Sequence, residues 1–366
     1  MREDCPYYQR ALAEDAGVSE GEEGCPYCRR TSPLGAEASS QSRDFGRFYL
    51  IERLGGGSFG DVWKGCDRAN HELVAIKISW RSFGNTDPKS LLREADAAMQ
   101  LRHPNIVRVR EFGQCAGRVF VVSDLIGGCN LDKWLDSHRA KPWEAAQLCA
   151  TMAAALHCAH EAGIVHRDLK PSNVVIDAEV QPHILDFGMA RSLHMGSANA
   201  VERYQEARRL IRSGKSNGKE DSASIMGTPA YMSPEQACGK AHYVDRRSDI
   251  YSLGVIFYEL LTGRRPFYGN TTRLSRDIQF RRPVPPRRVR RSVSPELERI
   301  CLKALAKSPD ERYATAQLMA DDCLQALAAR DEKGRSPTRW GGLWRAMLDA
   351  IRWGGRPKDT AGSTGS

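Results

Sequence analysis

Apolar residues in the first third of the chain form short runs of strand length, whereas longer helical patterns follow them. Strands are predicted at 49–51, 62–65, 74–78 and 119–122, where β-branched and aromatic residues lie between turn-forming residues. Helices are predicted over the alanine-rich stretch 143–162, which Gly163 ends, and over 294–307 and 314–329. This order predicts an α+β protein in which a small, mainly β part precedes a larger, mainly helical part.

The first 45 residues lack this patterning. Residues 1–45 are acidic and rich in Glu, Gly and Ser, which predicts a poorly ordered arm. The arm contains Cys5, Cys25 and Cys28. A C-x-x-C pair is compatible with half of a zinc site or with a redox dithiol, but three thiols do not complete a tetrahedral set. An unstructured arm is therefore the preferred interpretation, and the role of the cysteines stays open.

The tail, residues 329–366, contains one amphipathic stretch. Its apolar positions repeat at helical spacing within 339–353 and comprise Trp340, Leu343, Trp344, Met347, Leu348 and Ile351. Arginines lie beside this face at positions 339, 345 and 352. Such a helix suits a membrane interface or a groove on a partner, and docking on the chain's own larger part is an equal alternative.

Charge narrows the range of partners. The net charge of +9 over 366 residues favours phosphates, anionic membranes or nucleic acid. Residues 281–291 are strongly basic, but they contain prolines and no interleaved aromatic residues, so nucleic-acid binding is not expected. The chain has no run of about 18 apolar residues and no apolar stretch after Met1, which predicts neither a transmembrane helix nor a signal peptide. Most of the 11 cysteines are scattered singly, and we expect a cytoplasmic protein, with a peripheral membrane position left open.

A glycine-rich run lies between the first two predicted strands. In Gly55-Gly56-Gly57-Ser58-Phe59-Gly60, glycines at the first, third and sixth positions allow backbone N–H groups to approach phosphates closely. A dinucleotide-binding fold is the alternative, but it requires a helix directly after the glycines. Here Val62 opens a stretch with strand character, which favours a hairpin.

Two further segments carry charged residues in apolar surroundings. Lys77 interrupts the strand at 74–78, where a buried ammonium needs an acidic partner, and Glu94 on a predicted helix that continues to about Leu101 is the candidate. An edge-strand lysine pointing to water is the alternative interpretation.

The second segment is the loop 166–173, and the acid Asp186 follows it thirteen residues later. Convergence of its Asp, Lys and Asn with Asp186 would suit metal-bound phosphate chemistry, because Mg²⁺ takes hard oxygen ligands.

Together these motifs resemble those of the Hanks-type serine/threonine protein kinases of bacteria, in the order of that family, over about residues 46–328. The motifs are the glycine loop, Val74-Ala75-Ile76-Lys77, the helix Glu94, His166-Arg167-Asp168 with Asn173, Asp186-Phe187-Gly188, and Ser233-Pro234-Glu235 in place of the usual Ala-Pro-Glu. The resemblance implies a bilobal kinase-like fold. It divides the chain into an N-lobe at about 46–124 with one helix, a C-lobe at about 128–328, and an activation segment at 186–235 with an insertion at about 196–224.

The resemblance also implies roles for individual residues. It assigns catalytic or phosphate-positioning roles to Lys77, Glu94, Asp168 and Lys170, and Mg²⁺ binding to Asn173 and Asp186. It assigns ATP binding to Gly55, Gly56, Gly57, Ser58, Phe59, Gly60, Val62, Ala75, Lys77, Ser123, Asp124 and Ile126. In this alignment Ser123 is the gatekeeper, and the adenine contacts the hinge at about 124–126. Further implied contacts are Asp249 to the catalytic loop, and Arg312 to Glu235.

The expected function is ATP-dependent transfer of the γ-phosphoryl group to Ser or Thr hydroxyls of protein substrates, with autophosphorylation in a signalling role. Ser224 is the expected phosphorylation site, because it lies three residues before Gly227 in the activation segment. The alternative is a pseudokinase scaffold that binds nucleotide without chemistry. Such scaffolds usually lack one of the key residues, and all of them are present here. The sequence predicts no oligomeric state.

Overall fold

The computed structural model of the chain describes residues 43–57, 60–79, 97–187, 229–239 and 244–331. Several predictions fall outside these residues, namely those for residues 1–42 of the arm, the insertion, the tail helix, Ser58, Phe59, Glu94 and Ser224. The last two residues of the predicted arm, Asp44 and Phe45, form a short strand instead. The first part of the described chain holds β1 (Asp44–Phe45), β2 (Phe48–Gly57), β3 (Gly60–Asp67), β4 (Glu72–Ser79), β5 (Val109–Cys115) and β6 (Arg118–Asp124). Between β4 and β5, residues 97–100 are helical.

The six strands form one antiparallel sheet in the order β1-β2-β3-β4-β6-β5. Its buried face packs around Phe120, which meets the rings of Phe45 and Phe48 edge to face at centroid distances of 5.6 and 5.5 Å. In β4 the residues Val74, Ile76 and Ile78 are buried in this core. Because side chains alternate along a strand, positions 75 and 77 face the opposite side of the sheet. That side borders the second part of the molecule.

The second part is mainly helical. In chain order it comprises β7 (Cys129–Asn130), α1 (Leu131–Ser137), α2 (Pro142–Glu161), β8 (Val174–Ile176), β9 (Pro182–Ile184), α3 (Pro234–Ala237), α4 (Arg246–Thr262), α5 (Thr271–Phe280), α6 (Pro286–Val289), α7 (Pro295–Ala304) and α8 (Ala316–Asp331). Short 3₁₀ turns lie at Pro171–Asn173, Pro229–Tyr231 and Pro309–Glu311. The predicted helices over 143–162, 294–307 and 314–329 are therefore present, the second of them three residues shorter at its end.

Helices α2 and α4 form the centre of this part, and α8 packs against α2. Helix α2 is rich in alanine, which permits close approach of its neighbours. Asp245 caps the start of helix α4, because its carboxylate accepts a hydrogen bond from the Arg247 N–H at 2.7 Å, and Gly263, with φ of 74°, caps its end. Both ends are thus fixed by local sequence, so the residues of its first turn are held in place.

A small three-stranded sheet, in the order β7-β8-β9, lies where the two parts meet. The loop 164–173 leads into β8, and Asp186 lies two residues after the end of β9. This sheet sets the two acidic segments side by side, because β8 and β9 are paired from Val174↔Ile184 to Ile176↔Pro182. None of the described helices is long and apolar enough to cross a membrane.

Candidate active site

The loop 164–173 is held by a buried carboxylate from the first turn of α4. Asp249, fully buried, accepts hydrogen bonds from the backbone N–H groups of His166 at 2.8 Å and Arg167 at 2.7 Å. Arg167 has φ of 66°, a left-handed conformation that is uncommon for residues other than glycine. The two charge-assisted bonds stabilise this conformation and fix the backbone next to Asp168. This is the contact that the resemblance implied for Asp249.

Asp168 lies at the centre of a group of polar side chains and keeps contact with solvent. Its Oδ2 atom lies 2.7 Å from Lys170 Nζ, and its backbone carbonyl accepts a bond from Asn173 Nδ2 at 2.7 Å. About 38% of the Asp168 side chain is exposed, so a substrate hydroxyl has access to the carboxylate. These bonds hold the side chains of Lys170 and Asn173 against Asp168.

Asp186 is paired with Lys77 across the gap between the two parts of the molecule. Lys77 Nζ lies 2.7 Å from Asp186 Oδ2, although the residues are 109 positions apart. Burial acts to raise the pKa of the Asp186 carboxyl, but the charge and hydrogen bond of Lys77 outweigh it, and the pKa lies below its ordinary value. Asp186 is therefore a carboxylate at neutral pH. The acidic partner predicted for Lys77 is Glu94, which lies outside the described residues, and the acidic partner that the structure shows is Asp186.

A histidine joins the two acidic segments. His166 Nε2 lies 2.8 Å from the carbonyl oxygen of Leu185, and the His166 ring meets the ring of Phe187 edge to face at 4.9 Å. Asp186, between these two residues, has φ of 63°. The segment 185–187 is thus tied to the catalytic loop on both sides of Asp186. Asp168, Lys170, Asn173, Lys77 and Asp186 consequently line one cleft.

The glycine-rich run forms a hairpin. Strands β2 and β3 pair directly, with Gly57 opposite Gly60, and no helix follows the glycines, which excludes the dinucleotide-binding alternative. A Cβ atom at Gly60 would lie 1.9 Å from the carbonyl oxygen of Ile78, so only glycine fits there. Val62 lies opposite Lys77 in the pairing of β3 with β4, which sets the hairpin beside the ammonium group.

The segment after β6 borders the same cleft. Ser123 lies opposite Ala75 in the β4–β6 pairing, and Asp124 lies opposite Val74. Asp124 N–H donates to the carbonyl oxygen of Arg108 at 3.0 Å, and the side chain of Asp124 pairs with Arg110. Ser123 is half-buried, and because it lies opposite Ala75 its side chain is on the same face of the sheet as that of Lys77.

The end of the activation segment is fixed by a buried ion pair. Arg312 Nη1 and Nη2 lie 2.8 Å from the two carboxylate oxygens of Glu235, and Ser248 Oγ donates to Glu235 at 2.7 Å. Burial acts to raise the pKa of Glu235, but the hydrogen bond and charge of Arg312 lower it overall. The contact expected between Arg312 and Glu235 is thus present.

One positioning residue was not predicted. His160 is buried near the end of α2, and its Nε2 atom lies 2.8 Å from Asp249 Oδ2, the same oxygen that accepts from His166 N–H. Its only signal in the sequence is a histidine among the apolar and small residues of a helix. A buried histidine is also common as a core residue, so the pattern alone does not reveal the contact.

The comparison with known proteins agrees with this geometry. Residues 48–324, about three quarters of the chain, match the protein kinase domain family. The chain belongs to the protein kinase family. The kinase is 35% identical over 300 residues to the serine/threonine-protein kinase PknB of Mycolicibacterium smegmatis, a match that covers 80% of this chain and 44% of that protein. It is 34% identical over 310 residues to the serine/threonine-protein kinase Pkn1 of Myxococcus xanthus, covering 81% of this chain and 41% of that protein.

Solved structures support the fold. The kinase domain of Mycobacterium tuberculosis PknI is similar with a TM-score of 0.58 and 22% identity, over 79% of this chain and 99% of that domain. The structural similarity confirms the predicted bilobal kinase fold, and the family match with the curated relatives confirms the predicted bacterial Hanks type. The chain spans less than half the length of the curated relatives it matches.

Proposed function

We propose that this kinase transfers the γ-phosphoryl group of ATP to Ser or Thr hydroxyls of protein substrates. The observation that carries the proposal is the convergence of Lys77, Asp168, Lys170, Asn173 and Asp186 on one cleft, from segments up to 109 positions apart. The names of the curated relatives, which are serine/threonine-protein kinases, support the Ser/Thr specificity.

Asp168 is the group that receives the substrate hydroxyl. Its exposed carboxylate accepts a hydrogen bond from the hydroxyl, orients the oxygen for attack and takes the proton as the oxygen–phosphorus bond forms. Lys170, 2.7 Å from that carboxylate, places a positive charge beside the position of the transferred group. Lys77 supplies a second positive charge on the opposite side of the cleft, where it would hold the α- and β-phosphates.

The oxygen atoms near these groups fit Mg²⁺. The pKa of Asp186 is lowered, so its side chain is a carboxylate at neutral pH, and Asn173 donates to the Asp168 carbonyl through Nδ2, so its Oδ1 would be the atom that binds the ion. Asn173 and Asp186 would hold the ion, which neutralises phosphate charge when bound. Gly55, Gly57 and Gly60 in the hairpin would cover the phosphates with backbone N–H groups.

A phosphotransfer assay with radiolabelled ATP and a generic basic protein tests the proposal. Asp168→Asn should lower turnover by about 10²–10⁴-fold while ATP binding is retained, because the amide does not accept the proton. Lys77→Ala, in contrast, should lower both turnover and the affinity for ATP. Asp321→Asn on α8 is the matched control for the loss of a carboxylate and should keep full activity.

The same assay distinguishes the enzymatic proposal from the pseudokinase alternative. A wild-type chain that binds ATP but transfers no label, under conditions in which the variants behave identically, would contradict the enzymatic proposal. No described residue favours that alternative, since the lysine, the catalytic Asp and both metal ligands are all present. The proposal includes phosphorylation at Ser224 in the activation segment and a cytoplasmic location.

A further inference from the structure

A strip of arginines covers the surface between α5 and α7. Residues 281–291 contain six arginines and no acidic residue. Five of them are exposed, at positions 281, 282, 287, 288 and 291. Within the described part of the chain, only Arg281 of these five has a carboxylate within salt-bridge distance, Asp277 at 3.3 Å. The name arginine strip is used below for residues 280–291.

The backbone of the arginine strip is fixed, so the exposed side chains project from a rigid support. Tyr258 Oη donates to the carbonyl oxygen of Val284 at 2.9 Å, and Pro286 is buried. The sixth arginine, Arg290, donates to the carbonyl oxygens of Ala140 at 2.7 Å and Leu261 at 3.2 Å. These bonds attach the strip to the end of α4 and to the residues just before α2.

Apolar side chains are exposed among the arginines. Phe280 is 74% exposed and Val284 is 39% exposed, whereas most large apolar side chains of the C-lobe are buried. Cationic side chains that surround exposed aromatic and aliphatic groups are typical of surfaces that lie against a lipid interface. A nucleic-acid backbone would satisfy the arginines but would offer no apolar environment to Phe280 and Val284.

The strip lies far from the catalytic cleft. It contacts Leu261 near the end of α4, whereas Asp249 in the first turn of the same helix holds the catalytic loop. Leu261 lies twelve positions after Asp249 along the helix, which is about 18 Å at 1.5 Å per residue. A surface that contacts the strip would therefore leave the cleft accessible to protein substrates.

From these observations we propose that the arginine strip docks the kinase on an anionic lipid surface. The exposed arginines contact the headgroups, and Phe280 enters the boundary between headgroups and acyl chains. A single weak membrane-binding element does not hold a protein stably on a membrane, so a second element is needed. The tail stretch 339–353 has the same chemistry, with tryptophans beside arginines, and would provide the second.

Vesicle flotation with the full chain tests this proposal. The protein should float with phosphatidylcholine vesicles that contain phosphatidylserine and should remain unbound with phosphatidylcholine alone. Each arginine near an anionic surface contributes about a fivefold factor in partitioning. The double variant Arg282→Glu and Arg288→Glu should therefore lower the partition coefficient by about 30-fold or more. Its phosphotransfer to a soluble substrate should stay unchanged.

The matched control is the double variant Arg108→Glu and Arg118→Glu, which changes the net charge equally but lies on exposed positions of the N-lobe. It should bind vesicles as the wild type does. Equal loss of binding in both double variants would overturn the proposal, because net charge alone would then explain the attraction.

Further measurements distinguish the contribution of the strip from that of the tail, and binding to lipid from binding to nucleic acid. In a chain that carries Trp340→Ser and Trp344→Ser, the added substitutions Arg282→Glu and Arg288→Glu should lower the remaining vesicle binding further. If they cause no additional loss, the role of the strip is overturned. Phe280→Ser should lower vesicle binding severalfold. The lipid proposal would be overturned if the wild type does not float with anionic vesicles but binds duplex DNA tightly, and if Arg282→Glu with Arg288→Glu abolishes that DNA binding. The strip would then be assigned to nucleic acid.

Discussion

Replacement of Arg312 by methionine should destabilise the kinase domain by about 3–5 kcal/mol, because it leaves the buried carboxylate of Glu235 without its counter-charge. Arg312 is 0% exposed and Glu235 is 7% exposed, so water cannot replace the lost partner without local opening. The guanidinium also donates to the carbonyl oxygens of Ala306, Lys307 and Arg247, at 2.9, 3.1 and 3.0 Å. Single domains have a total stability of about 5–15 kcal/mol, so this loss is a large part of it.

Equilibrium unfolding in urea, followed by tryptophan fluorescence, measures this effect. The double variant Glu235→Gln and Arg312→Met should recover part of the stability, because it removes the uncompensated charge. An exposed pair provides the comparison. Arg299 and Asp322 lie 3.0 Å apart, but the arginine is 57% exposed, and Arg299→Met should cost at most about 1 kcal/mol. A loss below about 1 kcal/mol for Arg312→Met would refute the reasoning.

The same pair predicts a dependence of stability on pH. The pKa of Glu235 is lower in the folded protein than in the unfolded chain, so the folded state binds fewer protons near that pKa. The contribution of Glu235 to stability is therefore fully present above the pKa of an unfolded glutamate and is lost as the pH falls through the lower folded value. Glu235→Gln should remove this part of the acid sensitivity. An unchanged slope of stability against pH in that variant would contradict the assignment.

Three other changes test the site. Ser123→Phe should abolish inhibition by purines with bulky C6 substituents, which the small Ser123 admits behind the adenine position; equal inhibition of both forms would count against the gatekeeper assignment. Asp249→Asn should lower the stability by about 2–3 kcal/mol and should also lower turnover, because the two N–H groups of His166 and Arg167 bond to different carboxylate oxygens and the amide has only one oxygen. Unchanged turnover of the fully folded variant would be evidence against the positioning role of Asp249. Ser224→Ala should lower activity if phosphorylation there activates the kinase, as measured on protein pretreated with ATP, and full activity would argue against that site.

Much of the fold and of the site could be predicted from the sequence because local patterns and motif order agree. The β-branched run around Lys77 and the alanine-rich stretch of α2 each indicate one type of element, and the structure contains both. The glycine hairpin was predicted over the dinucleotide-binding alternative because strand residues, and not a helix, follow the glycines. The pairing of Arg312 with Glu235 was available only through the resemblance, since the two residues are 77 positions apart.

Other contacts depend on packing that no local pattern contains. The bond from His160 to Asp249 requires the end of α2 to meet the beginning of α4, and a histidine within a helix gives no sign of that meeting. The fixed backbone of the arginine strip likewise depends on Tyr258 and Arg290 reaching carbonyl oxygens far away in the sequence. From the sequence alone the strip is only a run of arginines and prolines, and its exposure and rigidity are properties of the fold.

The first turn of α4 connects stability with catalysis. Asp249 holds the catalytic loop, the preceding Ser248 donates to Glu235, and the carbonyl oxygen of Arg247 accepts from Arg312. Three consecutive residues thus contact the loop that carries Asp168, the end of the activation segment and the arginine that fixes that end. Because the three contacts share one helix turn, we expect the loss of any one of them to weaken the other two. Because the ion pair between Glu235 and Arg312 is attached to this turn, we expect it to help keep the turn, and with it the loop 164–173, in position.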